Sequence, residues 1–393
     1  MEKELVFQIL KRLESGYHIP PLSAIAVKLV EMASDEHSSV RQMAALIEKE
    51  PSLAVRVLHL ANSVVFGMGG QVKTLNQAAV RLGVHRLKLM ALSISLRDAF
   101  PLGRVGPFNY EDFWKLSLYR GLMARGLAER SRRHDPDEAF LAALTLEVGL
   151  PIFFDMHIKG KHQDFDMSLD PLEELLFRER DLTGMDHRNV GKAALKFWKF
   201  PESIIACQPV YGHLSREAHV SALCLICEMA RLFSRMVLDP SVDFTSFFIR
   251  AEESLQLSQD IVQDLLVEVF SEVQETALAL RLDVDQERDL MGIMEGANRA
   301  LIRISEKMSR HSAWTSGNTP LPSFETLSCT DDSTLYTLQA VAHEIRNPLT
   351  AVGGFARRLA QSVESDSQVA RYANVILEEA KRLEIILAQM KSR

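Results

Sequence analysis

The sequence predicts an all-α protein with more than one domain. Helix start and stop signals punctuate the first 215 residues or so, and apolar residues then recur at helical spacing from about Glu217 to Met308. Near the end of the chain, two heptad patterns separated by a polar turn predict a hairpin of two helices. A length of 393 residues and a hydrophobic fraction of 47% allow two or three domains and at least one substantial core.

Local signals mark the helix boundaries of the first part. The Ile19–Leu22 segment, with its two prolines, leads into a helix, and Pro51 begins another. Thr74 and Gln77 have the spacing of a capping box, and Gly83 ends the helix that they start. We therefore expect a series of short helices in this region.

Four segments of this region together resemble the HDOD domain, an all-helical bacterial signalling module related to the HD phosphohydrolases. They are Ile19–Leu22, Ala45–Leu53, Leu60–Ser63 and Ala78–Gly83. The resemblance extends from about Ile19 to His213, and it implies a domain that is generally regarded as non-catalytic. We expect an HDOD-like regulatory domain over residues 1–215.

The resemblance also indicates where a metal site would lie. HD hydrolases hold divalent ions with a histidine on an early helix and with an adjacent His-Asp pair. At the matching positions this chain has Leu116 in place of the histidine and Leu146-Glu147 in place of His-Asp. We therefore predict that the protein holds no metal ion and needs no cofactor.

Two other histidines precede or follow aspartates and could be mistaken for ligands. His134-Asp135 lies in a polar stretch upstream of the matching position, where the aspartate is expected to cap a helix. Asp186 is likewise expected to cap a helix, with His187 in its first turn. Both pairs are predicted to be structural.

A helical extension and a linker are expected between this domain and the hairpin. The extension, residues 216–308, ends in a helix with two heptad rows, which are Leu290, Ala297 and Ile304, and Met294, Leu301 and Met308. Such rows predict a dimerising helix, although a single amphipathic helix packed on its own domain has the same pattern. Residues 309–333 are rich in Ser, Thr and Pro and predict a flexible linker.

The last part, residues 334–393, has apolar rows on both predicted helices. The first helix has Leu338, Ala342, Ile345, Leu349, Val352, Ala356 and Leu359, and the second has Val369, Ala373, Ile376, Ala380, Leu383, Leu387 and Met390. His343 lies one residue past the first row, so its side chain is expected to face solvent. Taken alone, an exposed histidine on a helix can be without function.

The neighbours of His343 favour a chemical role. Glu344 could hold or receive the proton of one ring nitrogen while the other nitrogen attacks. Pro348 cannot donate the backbone hydrogen bond that the carbonyl oxygen of Glu344 would otherwise accept, so the helix is expected to bend beside the histidine. These are the parts of an activated nucleophile.

The run from His343 to Thr350, His-Glu-Ile-Arg-Asn-Pro-Leu-Thr, resembles the H-box of sensor histidine kinases. Their phosphoacceptor domain (HisKA) is a helical hairpin that pairs into a dimeric four-helix bundle. The resemblance implies that His343 accepts the phosphoryl group, that Glu344 is its proton partner and that Asn347 positions water or the aspartyl phosphate of a receiver domain. It also implies a homodimer, a response-regulator receiver domain and a separate kinase ATP-binding module as partners.

A working kinase would need an ATP-binding module after the hairpin, and this chain ends at Arg393. The Gly353-Gly354 pair lies within the helical pattern and does not predict a phosphate loop. We therefore expect no autonomous kinase activity.

Composition disfavours other classes of partner. A net charge of −7 and a pI near 6.0 lack a broad basic signature, so we expect no nucleic acid. No uninterrupted apolar run approaches the length of a membrane span, and the first residues lack a secretory signal. Four scattered cysteines fit a reducing cytoplasm, and the Cys224-x-x-Cys227 motif predicts buried apolar thiols rather than a zinc or redox site.

The sequence is compatible with three functions. The first is a cytoplasmic signal-transduction protein that couples a non-catalytic HDOD-like domain to phosphotransfer at His343. The second is a dimeric scaffold in which His343 is unused. The third, which the missing ligands disfavour, is a metal-dependent phosphohydrolase.

Overall fold

The computed structural model describes residues 19–32, 40–63, 71–106, 108–157, 172–210, 220–238, 244–315, 349–363 and 367–391. Over these ranges the regular structure is helical apart from one two-stranded antiparallel sheet, which confirms the all-α prediction. The chain divides into two compact units. The first comprises Met1–Arg235 and Val269–Gln286, and the second comprises Met236–Glu268 and Glu287–Arg393.

Twelve of the described helices lie wholly or mostly in the first unit. In chain order they are α1 (Ala24–Glu31), α2 (Val40–Ile47), α3 (Pro51–Asn62), α4 (Leu75–Leu82), α5 (Val84–Asp98), α6 (Tyr110–Ser131), α7 (Pro136–Leu144), α8 (Gly149–His157), α9 (Leu172–Thr183), α10 (His187–Phe197), α11 (Glu202–Ile205) and α12 (Ala222–Leu238). Strands β1 (Arg104–Val105) and β2 (Phe108–Asn109) pair with Val105 opposite Phe108, and the sequence pattern did not predict them.

The helix boundaries of the first unit follow the sequence signals. Pro51 is the first residue of α3. The Thr74 hydroxyl accepts a hydrogen bond from the Gln77 backbone N–H at 3.1 Å, so the predicted cap of α4 is confirmed. Gly83 ends α4 with a φ of 85°, a conformation that glycine adopts without strain. These signals are local, which is why the sequence predicts them well.

Helix α6 is the central helix of the first core. It is buried on all sides, and its Trp114 and Tyr119 are among the largest fully buried side chains. The Tyr119 ring lies 6.2 Å from that of Phe233 on α12 and 5.2 Å from that of Phe270. The core of the first unit therefore includes residues well beyond His213.

One apolar stretch, Pro136–Met156, has the length and hydropathy of a membrane span. It consists of α7, a turn and α8, and 89% of its most apolar window is buried inside the protein. The hydrophobic side chains of this stretch are therefore core residues of the first unit.

The second unit is built from helices of the extension and the hairpin. These are α13 (Phe244–Leu255), α14 (Gln259–Ala279), α15 (Gln286–Thr315), α16 (residues 349–362) and α17 (Gln368–Lys391). Helix α14 belongs to this unit as far as Glu268. Helix α15 is the predicted heptad helix, but it continues to Thr315 and so includes the first seven residues of the predicted linker.

Candidate functional site

The residues predicted to perform phosphotransfer cannot be placed from the structure. His343, Glu344, Asn347 and Pro348 lie outside the described residues, and the described part of the hairpin begins at Leu349. The part of the site that can be described consists of the two hairpin helices, α16, which begins within the H-box run, and α17.

Both hairpin helices form where the heptad rows predict them. On α16 the side chains of Leu349, Val352, Ala356 and Leu359 are at most 1% exposed. On α17 the row residues Val369, Ala373, Ile376, Ala380 and Leu383 are at most 6% exposed. The predicted rows are thus confirmed from Leu349 to Leu359 and from Val369 to Leu383. The row members Leu338, Ala342 and Ile345 lie outside the described residues, as do the side chains of Leu387 and Met390.

The two helices pack closely at Gly353. A β-carbon on this glycine would lie 3.2 Å from the β-carbon of Ala380 on α17. Small residues at facing positions allow two helix backbones to approach. Gly353 therefore faces the partner helix of the hairpin, which gives the first of the two adjacent glycines a packing role.

The opposite side of α16 is bound by α14. The Gln263 amide nitrogen donates to the carbonyl oxygens of Thr350 at 3.2 Å and of Ala351 at 3.0 Å. The Arg358 guanidinium donates to the Gln263 side-chain oxygen at 2.6 Å and to Asp260 at 3.1 Å. It also pairs with Asp264.

Gly354 makes this approach possible. A β-carbon at this position would lie under 3.0 Å from the oxygen, nitrogen and carbonyl carbon of the Gln263 side chain. We refer to Asp260, Gln263 and Asp264 with Gly354 and Arg358 as the α14–α16 contact. The sequence does not predict this contact. Its one local signal is a glycine inside a helical pattern, a position where glycine costs up to about 1 kcal/mol of helix propensity.

The burial of the heptad rows bears on dimerisation. Rows left unpaired on α15 and on the hairpin would form apolar stripes on the surface of a single chain and would favour a dimer. Over the described residues, the rows of α15 from Leu290 to Ile304 and both rows of the hairpin are buried within one chain. Exposed stripes therefore do not argue for dimerisation.

In the first unit, a buried ionic network surrounds the positions that were matched by sequence to the metal ligands of HD hydrolases. Leu116 and Leu146 are buried, as is Glu147. The Arg120 guanidinium donates to one Glu147 oxygen at 2.8 Å, and Arg188 lies 3.4 Å from the other. The carboxylate at the predicted His-Asp position is thus held by two arginines.

The network continues to a second carboxylate. Arg188 donates to Glu228 at 2.9 Å, and Arg231 donates to the other Glu228 oxygen at 2.7 Å. The Arg120, Arg188 and Arg231 side chains are at most 7% exposed, and so are the two glutamates. Both carboxylates of the network are thus bound by guanidinium groups, which compete with any cation for their oxygens.

The charge state of Glu147 follows from its partners. Burial alone would raise the pKa of this carboxyl, but Arg120 and Arg188 outweigh burial and lower the pKa to about 2. Glu147 is therefore ionised at neutral pH, and its negative charge is compensated by guanidinium groups.

The two remaining aspartates cap helices, as predicted. Asp135 is the N-cap of α7 and accepts a hydrogen bond from the Glu138 backbone N–H at 2.8 Å. Asp186 is the N-cap of α10, and His187 is the first residue of that helix. The ring of His187 lies 2.8 Å from Glu179, with both side chains fully buried.

Metal analysis tests the prediction that the protein binds no divalent transition metal. No three His, Cys, Asp or Glu side chains among the described residues are grouped so that they could hold an ion. Purified protein dialysed against buffer should contain well below one equivalent of iron, manganese or zinc per chain by plasma mass spectrometry. One tightly held equivalent that His187→Gln or Glu147→Gln removes would contradict the prediction.

The cysteine motif is buried, as expected. Cys224 and Cys227 are at most 3% exposed, and the Cys224 sulfur lies 3.4 Å from that of Cys207. The hydrogen bond to Cys207 and burial raise the pKa of the Cys224 thiol, so this thiol stays neutral. Neutral buried thiols pack as small apolar side chains.

Two known domain families match this chain, one in its first half and one near its end. The HDOD domain matches residues 19–211, and the His Kinase A (phospho-acceptor) domain matches residues 336–392. The chain therefore contains an HDOD domain followed by a HisKA phosphoacceptor domain. This combination fits a signal-transduction protein, and HisKA domains generally dimerise and work with response regulators.

Two proteins of Bacillus subtilis are similar to parts of the chain. Sporulation kinase E is 53% identical over 49 residues, which are 12% of this chain and 6% of that protein. The uncharacterized protein YuxH is 24% identical over 133 residues, which are 34% of this chain and 32% of that protein. The chain therefore matches about a third of YuxH and a much smaller part of the kinase.

Solved structures share the fold of the first part. An HDOD domain protein of unknown function from Geobacter sulfurreducens superposes with a TM-score of 0.52 at 19% identity, over 71% of this chain and 97% of that one. A Shewanella amazonensis protein whose name places it among the phosphohydrolases has a TM-score of 0.53 at 20% identity, over 69% of this chain and 97% of that one. At such identities the similarity concerns the fold alone.

Proposed function

We propose that this protein is a cytoplasmic signal-transduction protein in which a non-catalytic HDOD domain regulates phosphotransfer at His343. The observation that supports it most is the H-box sequence at the start of a HisKA match, followed by two helices with buried heptad rows. In this proposal His343 is the phosphoacceptor and Glu344 its proton partner. Asn347 positions water or the incoming aspartyl phosphate, and Pro348 weakens the helix beside the histidine.

The buried network supports a non-catalytic role for the HDOD domain. A hydrolytic metal centre needs imidazole or carboxylate ligands with free lone pairs. Glu147 instead accepts hydrogen bonds from Arg120 and Arg188, and leucines replace the histidines. We therefore assign the domain a regulatory function. The boundaries predicted from the sequence are 1–215 for the domain, 216–308 for the extension, 309–333 for the linker and 334–393 for the hairpin. We propose them with two changes, because Phe233 and Phe270 belong to the core of the first unit and α15 continues to Thr315.

The proposed partners follow from the chemistry of the H-box. A phosphoryl group can reach His343 from the aspartyl phosphate of a receiver domain or from ATP held by a separate kinase module. The active assembly is proposed to be a homodimer through the HisKA hairpin. Because phosphoryl transfer depends mainly on positioning, an exposed imidazole needs little further machinery of its own.

Phosphate incorporation tests this proposal. With ATP and magnesium alone, the 393-residue chain should stay unlabelled. A separate kinase ATP-binding module, or a phosphorylated receiver domain acting in reverse, should label it with an acid-labile, alkali-stable phosphoramidate. His343→Gln should abolish the label, whereas Glu344→Ala should slow its formation and leave thermal stability within about 0.5 kcal/mol of the parent.

A matched control separates the site from other histidines. His85 has a side chain that is 56% exposed, and it lies in the HDOD domain. His85→Gln should therefore retain the full label. If cognate kinases and receivers label neither protein, and a strain with His343→Gln signals normally, the chain is a dimeric scaffold and the phosphotransfer proposal is wrong.

A further inference from the structure

The apolar rows of the hairpin are the surface through which it would pair with a second copy, and they are already buried within a single chain. A HisKA dimer pairs its apolar rows with those of a second copy. In the second unit the described row residues of α16 and α17 are at most 6% exposed within one chain. Side chains with so little exposed surface can contact a second hairpin only if part of their own chain moves away. Burial within one chain and pairing therefore compete.

Helix α14 contributes to the burial of α16 with a specific polar contact. Thr350, Gly354 and Arg358 follow one another at intervals of four residues and so form one line along α16. Gln263 binds the start of this line through the Thr350 carbonyl oxygen, covers its middle at Gly354 and accepts from Arg358 at its end. A side chain other than glycine at the middle position would displace Gln263.

Phe355 and Ala351 widen the covered face. They lie outside the predicted heptad row, yet they are at most 1% exposed. A hairpin helix that packs on one partner helix buries a narrow stripe, whereas α16 buries the row and these further positions as well. Helix α16 is therefore enclosed between α17 and the extension.

The ionic part of the contact is suited to opening. The side chains of Asp260 and Asp264 are 75% and 61% exposed, while that of Arg358 is 25% exposed. Ion pairs with such exposed carboxylates are weak and are screened by salt. A change in salt or in nearby charge that weakens these ion pairs can therefore help to release α16 from α14.

We propose that the α14–α16 contact is an internal lock on the HisKA hairpin. In the closed chain α14 binds α16, and a second copy of the chain pairs with the hairpin only after this contact opens.

The lock rests on one part of the proposed function, the pairing of the hairpin with a second copy. The test of the lock measures the oligomeric state, whereas the test of the proposed function measures phosphate incorporation. Either proposal can therefore fail without the other. If His343 is never labelled but the variants below change dimerisation as expected, only the phosphotransfer proposal is contradicted. Labelling of His343 without that change would contradict the lock only.

Charge reversal at Arg358 is the direct test. Arg358→Glu places a third carboxylate beside Asp260 and Asp264, and it should lower the dimer dissociation constant of the full chain at least tenfold in sedimentation equilibrium. Arg357→Glu makes the same charge change at the exposed neighbouring arginine and should behave like the parent. Asp260→Arg with Asp264→Arg, added to Arg358→Glu, should restore the parental constant.

Two results would overturn the lock. The first is a dissociation constant for Arg358→Glu that equals that of Arg357→Glu while circular dichroism shows both variants folded. The second is a triple variant that dimerises as tightly as Arg358→Glu alone. If Arg358→Glu does not fold, Gly354→Ala provides the same test without a charge change.

Gly354→Ala also separates a lock from a purely structural contact. The new methyl group displaces Gln263, but alanine is a better helix former than glycine. For a lock we expect tighter dimerisation, at least fivefold, with an unchanged or higher melting temperature of the full chain. A lower melting temperature with unchanged dimerisation would show that the contact only stabilises the fold.

Discussion

Replacing Glu147 by alanine is expected to destabilise the protein by about 3–5 kcal/mol, because removing one partner of a buried ion pair leaves the other charges uncompensated. Glu147 and Arg120 are each 2% exposed, and Arg188 is 1% exposed. Two guanidinium groups would then remain in the core without the shared carboxylate. Urea denaturation of the full chain, monitored by Trp fluorescence, measures the loss.

The pH dependence of stability provides an independent measure. The pKa of Glu147 is about 2 in the folded protein and lies near its usual 4.5 in the unfolded chain. A lowered folded-state pKa contributes stability above pH 4.5, and this contribution is lost as the pH falls towards 2. It amounts to roughly 3 kcal/mol at neutral pH. The stability of Glu147→Gln should therefore decrease less between pH 5 and 3 than that of the parent.

A surface ion pair supplies the control for Glu147. Glu129 pairs with Arg125 at 3.5 Å, four residues apart on α6, and its side chain is 57% exposed. Glu129→Ala should cost under about 0.5 kcal/mol. If Glu147→Ala costs no more than this control, the network does not stabilise the HDOD domain.

Gly149→Ala is expected to cost more than about 3 kcal/mol, at the upper end of what overpacking does. A β-carbon at this position would lie under 3.0 Å from the backbone carbonyl oxygen of His187 and from the backbone of Gly191. Both obstacles are main-chain atoms, so helices α8 and α10 would have to move apart. Thermal unfolding of the variant, or its recovery in the insoluble fraction, reports the effect.

Gly184→Ala is the matched comparison for Gly149. Gly184 has a φ of +79° and open space around its β-carbon position. The substitution therefore adds conformational strain of roughly 1–2 kcal/mol but no collision. If the two variants were equally destabilised, the close approach of α8 and α10 would not be the cause.

Local sequence signals predicted the parts of the fold that depend on a few neighbouring residues. The caps at Thr74, Asp135 and Asp186 are each a side chain bonded to a backbone N–H three residues on. The hairpin rows are equally readable, because helical spacing decides which side chains share a face. Such features need no knowledge of the tertiary structure.

Contacts between distant segments were not predictable in the same way. Glu147 and Arg188 are 41 residues apart, and Gln263 is 88 residues from Ala351. No periodicity connects such positions, and a single sequence does not show which charges meet. Leucines at positions 116 and 146 could therefore be read from the sequence, and the absence of a metal site there stays a prediction. The arginines that bind Glu147 could not be read in the same way.

The buried network also limits how this domain could change over evolutionary time. Restoring histidines at positions 116 and 146 would supply two ligands, yet Arg120 and Arg188 would still bind the carboxylate and repel an incoming cation. Removing either arginine first would leave Glu147 short of a partner in the core, at a cost that few domains tolerate. Two histidines added at these positions would therefore not be enough to make a metal site, because the arginines and glutamates around them would have to change as well.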